Sequence, residues 1–319
     1  MQYRSLGKSG LELSIIGFGA SPLGNEFGEA DEKESVRAVH YAIEQGISYF
    51  DTAPYYGRGL SEERLGKALK GFRDKVILAT KVGRYDKNTF DFSAPRVRQS
   101  LEESLRRLET DRIDLLQVHD IEFGDREQIV SETLPALLEL KTSGQVRAIS
   151  ITGYPLHHLK TVAEAFPEID AILSYCHYNL LDTAMDDVLT PYAQEKALGL
   201  INASPLHMRA LTQQGAPDWH PAPKKVIQKA REAAALCQAQ GADLARLVMQ
   251  FALQHPYVSS TLVGMNTVEQ VKQNLATLED ATHQELLKEV KTLLAPVHNS
   301  HWTEGRPEYN DPGAVPKGS

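Results

Sequence analysis

The chain has 319 residues, 42% hydrophobic and 24% charged, the balance of a folded globular protein rather than a disordered or collagen-like one. Its 34 basic and 42 acidic residues leave a net charge of -8, which disfavours nucleic acid and anionic lipid as partners; the densest cationic cluster is Lys224-Lys225. Two cysteines, Cys176 and Cys237, exclude a disulfide scaffold and fit a reducing compartment.

No apolar run reaches the ~18 residues of a membrane helix, and the first ten residues lack a signal-peptide core. The expectation is a soluble, cytoplasmic chain with no nucleic-acid or membrane partner, as a monomer or a homo-oligomer. Residues 3–6, 7–10 and 11–13 read as strand, glycine-bearing turn and strand, a hairpin. Eight short apolar runs follow at 15–18, 47–50, 76–79, 113–116, 148–151, 171–173, 198–201 and 258–263. Each is rich in Ile, Val or Leu and bounded by turn or polar residues, as strands buried on both faces are.

Amphipathic segments lie between the runs. Val36, Val39, Ala42 and Ile43 form one stripe over 35–44. Val97, Leu101, Leu105 and Leu108 form another over 97–108, and Ile129, Leu134, Leu137 and Leu138 a third over 127–140. Ser93 before Ala94-Pro95 and Ser61 before Glu62-Glu63 read as helix starts, and Gly46 and Gly144 as C-terminal caps. Two further helical patterns, 225–240 and 244–253, make an insertion before the last run. The alternation predicts an α/β fold: a single (β/α)8 barrel over residues 1–296, its N-terminal mouth plugged by the hairpin. Residues 297–319 are expected to form an extended loop, packed at first and disordered at its end. A doubly wound nucleotide-binding sheet is rejected, because Gly17-Phe18-Gly19-Ala20-Ser21-Pro22 lacks a third glycine and ends in proline.

In such a barrel, chemistry sits where strands end. The second run ends in Asp51-Thr52-Ala53, the third in Thr80-Lys81 and the fourth in Gln117-Val118-His119-Asp120; the loop after the second adds Tyr55-Tyr56-Gly57. A buried Lys81 needs a carboxylate, and Asp51 is available. A cation beside a tyrosine would lower its pKa toward working pH, making it a general acid or base, with His119 donating to the same substrate oxygen. This set moves a proton but carries no electrons, so it calls for a nicotinamide cofactor. Cys176-His177 and His298-Asn299-Ser300-His301 lack the spacing of metal motifs, so no metal is expected.

Leu6-Gly7-Lys8-Ser9-Gly10-Leu11, Phe50-Asp51-Thr52-Ala53-Pro54-Tyr55-Tyr56-Gly57, Thr80-Lys81 and Leu115-Leu116-Gln117-Val118-His119 stand in the order and spacing of the aldo-keto reductase superfamily, which the chain resembles. The resemblance implies a catalytic tetrad of Asp51, Tyr56, Lys81 and His119, with Tyr56 giving or taking the proton. His119-Asp120-Ile121-Glu122-Phe123-Gly124, Ile151-Thr152-Gly153, Leu173-Ser174-Tyr175-Cys176-His177-Tyr178, Ala203-Ser204-Pro205-Leu206 and Trp219-His220-Pro221-Ala222 resemble its sugar 1-dehydrogenase branch. Members of that branch oxidise L-galactose, L-fucose or related D-threo-aldoses at C1 to the lactone with NAD.

The resemblance also implies cofactor contacts at Gly19, Ala20, Thr152, Ser174, Tyr175, Ser204, Leu206, Gly264, Gln270, Gln273 and Asn274. Thr152-Gly153 replaces a Ser-Asn pair, Ser174 or Tyr175 a Gln, and Ala203 a ring-stacking aromatic, so Tyr175 is expected to pack the nicotinamide. Gly264 and Gln270 stand where NADP-preferring members carry basic residues. Two missing charge-assisted bonds, each about 1.5–3 kcal/mol, together with Glu269 favour NAD over NADP, with Lys272 read as a solvated helix residue. His177, His207, Trp219 and Trp302 are the expected sugar contacts. The rival readings are an NADPH-dependent aldehyde or ketone reductase and a cofactor-binding regulatory barrel without turnover.

Overall fold

The structure is a computed structural model that describes residues 1–279 and 281–319. β1 (Tyr3–Ser5) and β2 (Glu12–Ser14) pair antiparallel as the hairpin. β3 (Ile16–Gly19), β4 (Tyr49–Asp51) and β5 (Ile77–Val82) follow, then a small antiparallel ribbon of β6 (Arg84–Asp86) and β7 (Thr89–Phe90). β8 (Ile113–Val118), β9 (Val146–Gly153), β10 (Ala171–Tyr175), β11 (Gly199–Ala203) and β12 (Ser260–Gly264) complete the set. β3, β4, β5 and β8 to β12 close into one parallel barrel, each strand beside the next in sequence and β12 beside β3. Every apolar run of the sequence supplies one of these strands.

The helices are α1 (Glu32–Glu44), α2 (Leu60–Leu69), α3 (Ala94–Arg107), α4 (Arg126–Gln128), α5 (Leu134–Thr142), α6 (Leu156–Ala165), α7 (Met185–Lys196), α8 (Lys224–Ala239), α9 (Leu244–Leu253), α10 (Val268–Ala276) and α11 (Gln284–Leu294). A π-helical turn, Ile129–Thr133, joins α4 to α5. Gly46 and Gly144 adopt φ of 85° and 81° just past α1 and α5, as the helix ends require. Ser61 does not start α2. Gly59 is its N-cap, and the Ser61 hydroxyl instead donates to the Ala20 carbonyl, tying α2 to the end of β3. Among the described residues no helix is long and apolar enough to cross a membrane.

Strand side chains alternate between the barrel lumen and the surrounding helices. Tyr49, Ala79, Leu115, Ala148, Ala171, Leu173, Ile201 and Leu262 form the inner layer, and Leu6, Leu11 and Leu13 of the hairpin close it from below. The plug sits so tightly that a Cβ on Gly7, whose φ is +51°, would lie 2.2 Å from the Gly199 nitrogen. Continuing each alternation upward places Asp51, Lys81, Gln117, Thr152 and Tyr175 on the lumen side at the opposite rim. The outer layer packs Ile16, Phe18, Phe50, Leu78, Leu116, Ile149 and Ile172 against the helices.

A second core lies over the C-terminal half, where α8, α9 and α11 pack around a fully buried Trp302. The chain end is not loose, as the composition of residues 297–319 suggests, but docked. Asp311 caps α6 by accepting from the Leu156 and His157 amides at 2.7 and 2.9 Å. The Gly318 amide donates to the Pro221 carbonyl, and the Ser319 carbonyl accepts from Lys224 at the start of α8. Residues 298–319 therefore form a strap from the second core across the barrel rim.

Candidate active site

Asp51 ends β4 and Lys81 stands one residue before the end of β5, both almost fully buried. The Lys81 Nζ pairs with Asp51 Oδ1 and donates to the Thr52 carbonyl at 2.8 Å. The other Asp51 oxygen accepts from Gln117 Nε2 at 2.6 Å and from the Tyr49 hydroxyl at 3.2 Å. Neither supporting residue was singled out from the sequence. Strand parity was the signal available: Gln117 stands two residues before His119, and Tyr49 two before Asp51.

The Lys81 ammonium lies 5.0 Å from the centroid of the Tyr56 ring, and the His119 ring meets Tyr56 edge-on at 5.6 Å. Tyr55 is committed elsewhere, with the Arg84 guanidinium 4.0 Å from its ring centroid. The structure thus brings the four expected residues together; both tyrosine rings meet His119, Tyr55 at 5.9 Å, but only Tyr56 lies against the Lys81 ammonium. It also reverses the expected electrostatics of Tyr56. Burial first, then the Asp51 and Asp120 carboxylates, hold the phenol well above its ordinary value of 10. The physical reason is that the Lys81 charge is already spent on Asp51 and Thr52. Burial, reinforced by the Lys81 and Arg84 charges, pushes His119 down to about 3 against the opposing pull of Asp120, so its imidazole is neutral and its Nδ1 has no hydrogen-bond partner. The resting pair is therefore a protonated phenol beside a neutral imidazole.

Next to His119 the rim carries charge that the sequence reading passed over. Asp120 adopts φ of 50° and pairs with Arg84; burial works to lower the guanidinium, but Asp120 and Tyr55 hold it above its ordinary value. Burial works to raise the Asp120 carboxyl, but His119 and Arg84 hold it below its ordinary value. The Asp120 amide donates to the Thr152 hydroxyl at 3.0 Å. Glu122 is fully buried, and burial and Asp120 push its carboxyl well up, so it is a neutral acid. Its Oε1 accepts from the Tyr154 amide at 3.1 Å and its Oε2 has no partner. A Cβ on Gly153 would lie 2.6 Å from that oxygen. Glu122 fills the space that a side chain at Gly153 would need.

A groove of about 650 Å³ runs over the β11 and β12 ends. It is lined by the expected cofactor residues Ser204, Leu206, Gly264, Gln270, Gln273 and Asn274. Gly19, Ala20, Thr152 and Tyr175 lie deeper, at the strand ends. The register settles the ambiguity between Ser174 and Tyr175. Tyr175 continues the lumen-facing positions 171 and 173, and Ser174 shares the helix-facing side with Ile172. Tyr175 is also the register partner of Ala203, whose small side chain leaves lumen space beside the phenol ring.

Three cations line the groove: Arg209, Arg246 and Lys272. The first two were missed because they follow β11 rather than β12. An acid, Glu269, also lines the groove, and behind it Glu34 Oε1 accepts from the Val268 amide at the start of α10. The cradle suits a dinucleotide: glycines at its inner end, backbone amides and cations along its length, and a volume in the range of cofactor sites.

The expected sugar contacts divide. Trp219 is exposed, its ring 6.0 Å from that of Phe27, which lines the groove. His177, His207 and Trp302 are buried to 1% exposure or less and present no surface to a ligand. Trp302 stacks on Tyr154 at 4.2 Å as the anchor of the strap. The sequence places His177 and His207 after strand ends but does not show that the C-terminal strap, with Trp302 within it, closes over that side of the barrel. It likewise does not show that His177 and Asp182 meet His301, more than a hundred residues on.

Residues 15–295 match the Aldo/keto reductase family. The chain is 48% identical to the L-galactose dehydrogenase of Arabidopsis thaliana over 314 residues, covering 96% of this chain and 98% of that protein. It is 32% identical over 295 residues to the D-threo-aldose 1-dehydrogenase of a Pseudomonas species, covering 83% and 89%. Among solved structures it is similar to a holo-form aldo-keto reductase of Bacillus halodurans, with a TM-score of 0.76 and 29% identity over 98% of this chain and 100% of that one. Barrel, strand-end residues and full-length similarity agree: the chain belongs to the aldo/keto reductase family and is an oxidoreductase acting on a CH–OH group.

Proposed function

We propose that the chain is a sugar 1-dehydrogenase, oxidising L-galactose, L-fucose or a related D-threo-aldose at C1 to the lactone with NAD. The observation that carries this reading is the buried Lys81–Asp51 pair set beneath Tyr56 and a neutral His119, beside the groove. Full-length similarity to an L-galactose dehydrogenase supports the sugar, as does similarity to D-threo-aldose and D-arabinose 1-dehydrogenases.

Ser204, Leu206, Gly264, Gln270, Gln273 and Asn274 would hold the dinucleotide, with Tyr175 packing the ring in the room left by Ala203. Bound NAD supplies the hydride acceptor and a positive charge. The residues supply proton handling and position. His119, neutral across the physiological range, donates one ring N–H to the C1 oxygen. Tyr56 takes the C1 hydroxyl proton as general base, and Asp51 holds the Lys81 ammonium against its ring. The high resting position of the Tyr56 phenol means that the base form is scarce at neutral pH, so oxidation quickens as pH rises. Arg84 and Asp120, one a donor array and one an acceptor, flank His119 where the remaining sugar hydroxyls would lie.

NAD is preferred because Glu34 takes the first amide of α10 and opposes a 2′-phosphate there. A second reading, a carbonyl reductase using NADPH, is favoured by Arg209 and Arg246 in the same groove. The test is NADH and NADPH formation across L-galactose, L-fucose, D-arabinose and simple aldehydes, with lactone identified by NMR. Tyr56→Phe is expected to cut kcat by at least about 10²-fold with cofactor binding intact. Normal turnover by that variant, or activity only as an aldehyde reductase, overturns the proposal.

A further inference from the structure

His177, Asp182 and His301 lie outside the proposed reaction, yet the fold gathers them from two distant segments. His177 and Asp182 bracket the turn after β10, which is fixed by paired backbone hydrogen bonds between Asn179 and Asp182. His301 comes from the strap, where its carbonyl accepts from the Val315 amide. One ring nitrogen from each histidine and one Asp182 oxygen lie within 4.8 Å of one another.

Direct hydrogen bonding does not explain the cluster. Asp182 Oδ2 is 2.8 Å from His301 Nε2 and 3.4 Å from His177 Nδ1. These are ion-pair contacts whose angles are not those of regular hydrogen bonds, and Nε2 of His177 has no partner at all. His177 is fully buried, so water does not satisfy it from the surface. Two unpaired nitrogens on a buried imidazole cost about 1–3 kcal/mol each if nothing meets them.

The donor set is that of a metal site, and its spacing, with all three ligand atoms within 4.8 Å, approaches one that a small inward turn of the rings would complete. Around a tetrahedral zinc at about 2.0–2.1 Å, neighbouring ligand atoms stand roughly 3.3 Å apart. The two contacts to Asp182 straddle that value. The imidazole rings meet at 90° with centroids 4.8 Å apart, as two ligands converging on one ion do. The carboxylate is already oriented: Asp182 Oδ1 accepts from the Ala184 amide at 2.9 Å, leaving Oδ2 toward the imidazoles. The His177 ring is held against Tyr154 at 4.4 Å.

We propose that His177, Asp182 and His301 bind a divalent transition-metal ion, zinc by preference, with water in the fourth position. Two imidazoles and a carboxylate suit zinc, whereas calcium and magnesium prefer all-oxygen shells. The ion pins the strap to the barrel and so fixes Trp302 over Tyr154. The site is independent of the reaction proposed above.

The experiment is zinc titration of chelator-treated full-length protein by calorimetry, with cobalt absorption as a reporter of tetrahedral coordination. One equivalent is expected to bind, to raise Tm and to slow proteolysis within residues 298–319. His301→Gln, on the strap and partly accessible, is expected to weaken binding at least tenfold while remaining folded by circular dichroism. Asp182→Asn is expected to abolish the tetrahedral cobalt bands, and His283→Gln, away from the cluster, to bind as the parent does. No stoichiometric binding at 100-micromolar zinc (about 10⁻⁴ M, far weaker than structural zinc sites), or equal binding by His301→Gln, overturns the proposal.

Discussion

The Lys81–Asp51 pair makes a quantitative claim, because both groups are buried and each has few other partners. In Lys81→Met the Asp51 carboxylate keeps only two neutral donors, Gln117 Nε2 and the Tyr49 hydroxyl. In Asp51→Asn the ammonium keeps the Thr52 carbonyl as its one other acceptor. Breaking a buried pair from one side costs about 3–5 kcal/mol. Spread over an unfolding entropy of roughly 2.1 cal/mol/K per residue, that lowers Tm by about 5–7 °C in a chain of this length. The double variant Lys81→Met with Asp51→Asn removes both charges, and should regain about 2–4 kcal/mol relative to the sum of the singles. Lys81→Met and the double variant should lose at least about 10²-fold in kcat, since neither keeps a cation against Tyr56, whereas Asp51→Asn keeps the Lys81 cation without its anchoring carboxylate and should lose less. Urea unfolding and sugar oxidation measured on the same preparations separate the two effects. A double variant no more stable than additivity requires would refute the pairing argument, and one that kept its turnover would refute the catalytic role.

Acid sensitivity follows from the buried histidines. Burial lowers His119 and His207 to about 3 and His158 to about 4. The unfolded chain takes up those protons near pH 6.5 and the native one does not, so stability is fully present above pH 6.5 and lost as pH falls toward 3–4. The loss is up to about 1.4 kcal/mol per pH unit per group, and urea midpoints that stay level from pH 6.5 to 5 would contradict it. The log of kcat/KM for oxidation should climb with pH above neutrality as Tyr56 ionises; in the reverse direction, where the phenol donates, the slope should vanish. Gly153→Asn forces a side chain onto Glu122 and should cost about 1–3 kcal/mol, with relief when Glu122→Ala is added; a well-tolerated Gly153→Asn alone would refute the close-approach reading. Glu34→Gln with Gln270→Arg should raise the NADP-to-NAD ratio of kcat/KM by at least about tenfold, and a shift under threefold would remove α10 from cofactor choice.

The barrel was legible because its signal is local and repeated. Each strand is buried on both faces, so it appears as a short run of Ile, Val and Leu whatever its neighbours do. Asp51, Lys81 and His119 were legible for a related reason: strand ends are where polarity breaks into those runs. Parity was less accessible. It depends on which face of the strand points inward, and a slip of one residue exchanges the faces. Ser174 and Tyr175 show the cost, since only the register with β9 and β11 decides between them. Gln117 and Tyr49 were open to the same parity argument and could have been found by it.

Charge and burial around the rim were not legible, because they depend on segments that meet only in three dimensions. The sequence shows Lys81 near Tyr56 but not that Asp51 and Thr52 consume its charge, and so the phenol was expected low when it stands high. The strap has the strongest effect of this kind. Its composition of glycine, proline and polar residues reads as a free end, yet Trp302 supplies a large apolar side chain to the second core and Asp311 caps α6. By burying its own Trp302 with His177 and His207 it turns three expected sugar contacts into supports, and in the proposed reaction recognition of the sugar falls to other groups at the rim. Arg84 and Asp120 are the groups the proposal assigns to it: they sit beside His119, they are oppositely charged, and each is partly or fully buried, so a hydroxyl inserted between them would exchange one strong hydrogen-bonding partner for another rather than shed water alone. Selectivity among aldoses should therefore respond to Arg84→Lys, which keeps the charge and loses the fork, more than to any change at the buried histidines.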